Sequence, residues 1–145
     1  MTISTLVGRL LATPAAQHDL VHNFLTEAQG AAAALAVALK QAYDDAYATD
    51  LSRAANAAAA LQVLSAQVDD DALHGYAAWT AGLAAMDAGR LSDAVDLLTA
   101  AETYFAAAGR ADLVASVQVG KLPALAMQGR FDEAHAAGLA ALAHA

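Results

Sequence analysis

Apolar residues recur at intervals of three and four along most of the chain, the spacing that places side chains on one face of an α-helix. Tyr76, Trp79, Leu83 and Met86 follow this spacing, and Gly82 lies among small residues on the opposite face of the same stretch. Alanine, the strongest helix former, occupies 44 of 145 positions, and proline occurs twice. The pattern predicts an all-α fold with helices at about 3–12, 15–29, 31–47, 51–67, 71–88, 91–108, 111–128 and 131–144.

The chain also repeats itself. Gly-Arg pairs at 89–90, 109–110 and 129–130 are 20 residues apart, the length of one helix and its turn. A glycine there suits the left-handed conformation that ends many helices, and Asp69-Asp70-Asp71 is typical of a helix start. The larger period is 40 residues, because 89–94 aligns with 129–134 and more loosely with 49–54. It predicts three helical hairpins, 31–70, 71–110 and 111–145, preceded by a capping or docking helical pair over 1–30.

These units resemble tetratricopeptide repeats, and the second unit resembles them most. Gly82 on its first helix and Ala94 on its second match the two positions of close approach, with Gly89 at the turn. The third unit keeps Gly129 and Phe131, but it has Leu122 where the family prefers a glycine on the first helix. The usual repeat is about 34 residues; the 40-residue form is similar to arrays that precede CHAT protease-like or regulatory domains in large bacterial proteins. HEAT-like repeats of about 40–47 residues are the structural alternative.

The resemblance implies an α-solenoid of stacked antiparallel hairpins that binds other proteins without catalysing a reaction. In such a solenoid the first helix of each hairpin lines a concave groove. Large apolar and aromatic side chains at helical spacing would then anchor a partner, or they would pack on the neighbouring repeat as core. The predicted groove residues are Tyr43, Tyr47, Tyr76, Trp79, Leu83 and Met86.

Composition and charge exclude several classes of partner. The net charge is −8, and the seven basic residues are scattered singly, so neither nucleic acid nor an anionic membrane is an expected partner. The longest purely apolar run, 31–39, is too short to span a bilayer. No signal peptide is recognisable, which predicts a cytoplasmic protein, or an extracellular one if it belongs to an exported assembly.

The sequence carries no recognisable catalytic or metal-binding constellation. His18 and His22 are four residues apart on one predicted helix, but no third ligand follows in register. The chain has no cysteine, no phosphate-binding glycine loop and no nucleophile motif. We therefore predict that the protein is not an enzyme, that it uses no metal or cofactor, and that it takes no small-molecule substrate.

Both ends of the predicted array are apolar, whereas the terminal helices of solenoids usually have a polar outer face. Either the chain is part of a longer array or other copies cover its ends. The first hypothesis is a structural scaffold that assembles with copies of itself into an oligomer or filament. The alternative is an adaptor or regulatory segment of a larger bacterial protein that binds a partner peptide or effector domain. The predicted end contacts are Leu6, Leu10, Leu11, Phe131, Leu139 and Leu142.

Overall fold

The computed structural model describes residues 1–144, and that part of the chain is an all-α helical-repeat fold of eight helices without a β-strand. The helices end within two residues of the ranges that the sequence predicts. Short 3₁₀ turns at Pro14–Ala16 and Gln29–Ala31 precede the second and third helices. The helices are α1 (Ile3–Ala12), α2 (Gln17–Glu27), α3 (Ala32–Ala46), α4 (Leu51–Gln67), α5 (Asp71–Asp87), α6 (Leu91–Ala107), α7 (Ala111–Met127) and α8 (Phe131–His144).

The three Gly-Arg pairs end helices as predicted. Gly89, Gly109 and Gly129 have φ angles of 78°, 73° and 72°, in the left-handed region that other residues rarely occupy. At the first of them, the Arg90 amide donates to the carbonyl of Ala85 and the Gly89 amide donates to that of Met86. The same two hydrogen bonds recur at the other two pairs and satisfy carbonyls that the helix end would leave unpaired.

Two aspartates fix the starts of α4 and α5. The carboxylate of Asp70 accepts a hydrogen bond from the Leu73 amide, and that of Asp50 accepts one from the Arg53 amide. Each hydrogen bond supplies an acceptor for one of the amides that the first turn of a helix leaves unpaired. The start signal predicted at 69–71 is therefore confirmed.

From α3 onward, each helix packs on the next helix along the chain, and the α5–α6 pair has the most extensive contact. Two glycines allow that approach. A methyl group added to Gly82 would lie 2.8 Å from the Leu98 side chain, and one added to Gly75 would lie 2.6 Å from the ring of Phe105. The close approach predicted at Gly82 is confirmed, whereas the one at Gly75 was not predicted. The pairing of 75 with 105 and of 82 with 98 makes the two helices antiparallel.

The N-terminal helix is part of the core, which corrects the prediction that it forms an exposed apolar end. Leu6, Leu10 and Leu11 are fully buried because α1 lies across α3 and α4. Two side-chain amides hold it there: Gln17 donates to the Leu10 carbonyl at 3.0 Å, and Asn56 donates to the Leu11 carbonyl at 2.7 Å. These carbonyls belong to the last turn of α1, where the helix itself supplies no donor.

Candidate interaction surfaces

The middle of the predicted aromatic stripe packs mainly inside the fold. Tyr76 is buried and Trp79 is half-buried, and both rings contact Phe105 edge-on, with centroids 5.2 and 5.9 Å away. Edge-to-face contacts of this kind are a favourable aromatic arrangement. For these two residues the structure matches the core alternative rather than an open groove.

A buried lysine that the sequence analysis did not single out lies next to this aromatic cluster. The Lys40 ammonium is 3.9 Å from the centre of the Trp79 ring and 2.7 Å from a carboxylate oxygen of Asp44. The ion pair and the aromatic face together compensate the cost of burying the charge. The sequence does show a lysine directly after an apolar run, but the ring that covers it is 39 positions away.

The other four predicted groove residues line one cavity of about 330 Å³ between α3, α5 and α7. The rings of Tyr43 and Tyr47 stack with centroids 6.4 Å apart, and Leu83 and Met86 face them from α5. Tyr43 is 3% exposed and Tyr47 is 49% exposed, so this pair reaches from the core to the surface. We call this cavity the tyrosine cavity.

Two carboxylates line the tyrosine cavity, and no sequence pattern pointed to either of them. They belong to Asp44 in the last turn of α3 and to Asp87 at the end of α5. Burial, and then the negative charges of Asp87 and Asp44, raise the pKa of Tyr43 to about 12. The Tyr43 hydroxyl is therefore protonated at neutral pH, and the cavity combines apolar walls with negative charge.

A second group that the sequence did not predict joins a serine, a histidine and an aspartate. The Ser65 hydroxyl is 2.6 Å from one ring nitrogen of His74, and Asp69 is 3.1 Å from the other. Ser65 lies within helix α4, whose backbone amides are hydrogen-bonded along the helix and cannot stabilise an oxyanion. The contacts join α4, the segment after it and α5. Within residues 1–144, no three His, Cys, Asp or Glu side chains cluster as metal ligands.

The last two helices carry a second surface, an open apolar groove of about 590 Å³ between α7 and α8. Phe131 is 67% exposed and Leu142 is 73% exposed, and Leu139 is also exposed. We call this surface the C-terminal face. Eight residues line its groove: Asp112, Ala115, Ser116, Val119, Leu122, Gly138, Ala141 and Leu142.

The charges at the edge of the C-terminal face are paired with one another. Arg110 binds both carboxylate oxygens of Asp112, at 3.1 and 3.0 Å, and its hydrogen bonds lower the pKa of that carboxyl group. Arg130 binds Glu133 in the same way and lowers the pKa of Glu133. The groove between these pairs is therefore apolar and presents little net charge.

The 40-residue period explains why a groove opens in the last helix pair and not in the one before it. Val119 stands where the preceding unit has Trp79, and Ser116 stands where it has Tyr76. The two large rings fill the interior beside α5, whereas a valine and a serine leave space beside α7. The groove of the C-terminal face thus lies where the repeat has no aromatic side chains to fill it.

Comparison with protein-family models, with curated proteins and with solved structures finds no match to this chain. Among the helices of residues 1–144, none combines the length and the apolar character needed to cross a bilayer.

Proposed function

We propose that the protein is a non-enzymatic, tetratricopeptide-like interaction scaffold that assembles with a second copy of itself through the C-terminal face. The observation that carries this proposal is the exposure of Phe131 and Leu142 on α8, whose carboxyl-terminal half, with Leu142, lines an apolar groove. Single exposed apolar residues are common on folded proteins and need no partner. A contiguous exposed apolar surface, in contrast, marks an interaction site.

The spacing along α8 favours pairing about a two-fold axis. With about 100° per residue, Phe131, Gly138 and Leu142 lie within roughly 40° of one another on one stripe of the helix. Two α8 helices running antiparallel would cross near Gly138, where the missing side chain permits close approach, and Phe131 of each copy would meet Leu142 of the other. The same patch serves both copies, which is the requirement for a closed dimer.

The groove offers Phe131 of the second copy a place to insert. The equivalent space in the α5–α6 pair holds the rings of Tyr76 and Trp79, which pack against Phe105. A phenylalanine ring from a second copy would replace that missing aromatic contact beside Val119. Exposed aromatic residues that enter a partner's pocket dominate the energy of most interfaces.

The burial of the apolar residues of α1 favours a closed dimer over a filament. An open filament needs two different apolar ends, and the N-terminal candidates Leu6, Leu10 and Leu11 lie within the core. A typical stable interface takes about 800 Å² from each partner, a modest part of the 7280 Å² surface of this chain.

Sedimentation equilibrium with a matched pair of variants tests the proposal. The wild type should have twice its chain mass of 14.7 kDa. Leu142→Glu should shift it to monomer, because a charge would be buried in the interface. Leu51→Glu is the control, since Leu51 is 72% exposed and lies on α4, away from the C-terminal face. A monomeric wild type, or equal effects of the two variants, would refute the proposal.

The tyrosine cavity supports a second candidate function, that of an adaptor binding a peptide segment of another protein. It gathers Tyr43, Tyr47, Leu83 and Met86 from two helices around one opening. A monomeric variant that binds a peptide at this cavity would establish the adaptor function without self-assembly.

A further inference from the structure

Two tyrosine rings and two apolar side chains line the tyrosine cavity. The Tyr43 and Tyr47 rings are nearly parallel, with an angle of 11° between their planes. A second cavity of about 240 Å³ shares Tyr43, Tyr47 and Asp87 with the first, which measures about 330 Å³, and is also lined by Leu51. The half-exposed ring of Tyr47 places both cavities at the surface.

The charges around these two cavities differ from those usually found at the carboxyl ends of helices. The carboxyl end of a helix carries partial negative charge and favours basic residues. Yet α3 and α5 have no basic residue in their last turns, where Asp44 and Asp87 lie instead. Lys40 neutralises Asp44, but no cation pairs with Asp87 anywhere in the described part of the chain. Within residues 1–144, Asp87 is therefore an exposed carboxylate without an ion-pair partner, at the edge of both cavities and next to two negative helix ends.

The Tyr43 hydroxyl also has no partner within the described part of the chain. Tyr43 is 3% exposed as a residue, but its hydroxyl oxygen is not among the fully buried polar atoms, and no side chain or carbonyl of residues 1–144 forms a hydrogen bond with it. Tyrosine hydroxyls in such sites usually do find a partner. Because Tyr43 lines both cavities, a bound group could supply that hydrogen bond.

We propose that the tyrosine cavity binds the guanidinium group of an arginine side chain, presented by a segment of a partner protein. Its N–H groups would pair with the Asp87 carboxylate and donate to the Tyr43 hydroxyl oxygen, while its plane stacks on Tyr47. The proposal rests on the adaptor function above and does not depend on dimerisation. The net charge of −8 complements a basic partner and would accelerate its association.

Arginine fits this site better than lysine does. A guanidinium group is flat, stacks on aromatic rings and binds a carboxylate through two parallel hydrogen bonds. A lysine ammonium is compact and strongly hydrated, so it gains less from a pair of stacked rings. Leu83 and Met86 would cover the apolar stem of the arginine side chain.

Nuclear magnetic resonance titration with two peptides tests this proposal. One peptide is acetyl-Leu-Arg-Leu-amide, and the other has citrulline in place of arginine, which keeps the shape and removes the charge. Each is added to the wild type, to Asp87→Asn and to the control Asp45→Asn. Asp45 lies one turn from Gln41 on α3, accepts its hydrogen bond and does not line the tyrosine cavity. Repeating the titration on Leu142→Glu separates peptide binding from self-association.

We expect saturable shifts at the carboxyl ends of α3 and α5, with the arginine peptide binding roughly 10-fold to 100-fold more tightly than the citrulline peptide. Asp87→Asn should remove this preference, and Asp45→Asn should keep it. Equal localised binding of both peptides would overturn arginine recognition while leaving the adaptor function intact. Saturable binding of neither peptide would overturn both, and a preference that survives Asp87→Asn would overturn the role of that carboxylate.

Discussion

Replacing Gly75 with alanine tests whether the α5–α6 pair is as tightly packed as its geometry indicates. The new methyl group would lie 2.6, 2.7 and 2.9 Å from three ring atoms of Phe105. The ring cannot swing aside, because Tyr76 and Trp79 pack against it and Phe105 is itself fully buried. Either the two helices separate or the aromatic cluster rearranges.

Two opposing terms set the size of the effect. Overpacking of a well-packed core costs about 1–3 kcal/mol, and the confined ring of Phe105 places this site in the upper part of that range. Alanine recovers about 0.5–1 kcal/mol relative to glycine inside a helix. We therefore expect Gly75→Ala to destabilise the fold by about 1–2 kcal/mol. Gly8→Ala is the matched control, because a methyl group there meets nothing within 4 Å, and it should stabilise the fold slightly.

Urea unfolding followed by circular dichroism measures both variants. A double-mutant cycle with Phe105→Leu should show that part of the loss at Gly75 is recovered when the ring is removed. If Gly75→Ala stabilises the protein as much as Gly8→Ala does, the close contact of α5 with Phe105 does not exist in solution.

Asn56→Ala should cost about 1–3 kcal/mol of unfolding free energy, because the Leu11 carbonyl loses its donor; a change in urea midpoint no larger than that of an exposed alanine substitution would contradict the docking of α1. Tyr43 gives a pH dependence: below pH 10 its hydroxyl is protonated in both states, and between pH 10 and about 12 only the unfolded chain loses the proton. The free energy of unfolding should therefore fall over that interval in the wild type, and it should fall less in Tyr43→Phe. Equal losses in the two proteins would contradict the burial of Tyr43.

Helix boundaries could be predicted because their signals are local. Gly89 and its equivalents mark helix ends through a backbone conformation, and Asp70 marks a helix start through a carboxylate three residues from the amide it binds. Neither signal depends on the remainder of the fold. The resemblance to tetratricopeptide repeats, which also rests on short-range spacing, placed Gly82 at a close helix contact, and the structure has that contact.

Burial could not be predicted in the same way, because it depends on residues distant in the chain. The stripe of Leu6 and Leu10 shows that one face of α1 is apolar, but it does not tell whether α4 or another molecule covers that face. The side chain of Asn56, on α4, donates a hydrogen bond to the carbonyl of Leu11, 45 positions away, and so holds α1 against α4. Likewise, Tyr47 and Tyr76 belong to one sequence pattern, yet Tyr76 packs on Phe105 of the neighbouring helix and is buried, whereas Tyr47 stacks on Tyr43 of its own helix and stays 49% exposed.

A cysteine placed on the proposed two-fold axis tests self-assembly through the C-terminal face most directly. The chain has no native cysteine, so a single engineered one can form a disulfide only between two copies. Gly138 can accept the side chain, because an added Cβ meets its nearest neighbour, Leu122, at 4.0 Å. Ala136→Cys is the control, since it is exposed and lies about 200° around α8 from position 138.

Under mild oxidation, Gly138→Cys should form a covalent dimer rapidly, because a disulfide requires Cα atoms within about 7 Å of each other. Ala136→Cys should remain mostly uncrosslinked, and adding Leu142→Glu to the Gly138→Cys chain should abolish crosslinking. Equal rates for the two cysteines, or no crosslinking at position 138, would contradict the two-fold pairing of α8 and the scaffold function built on it.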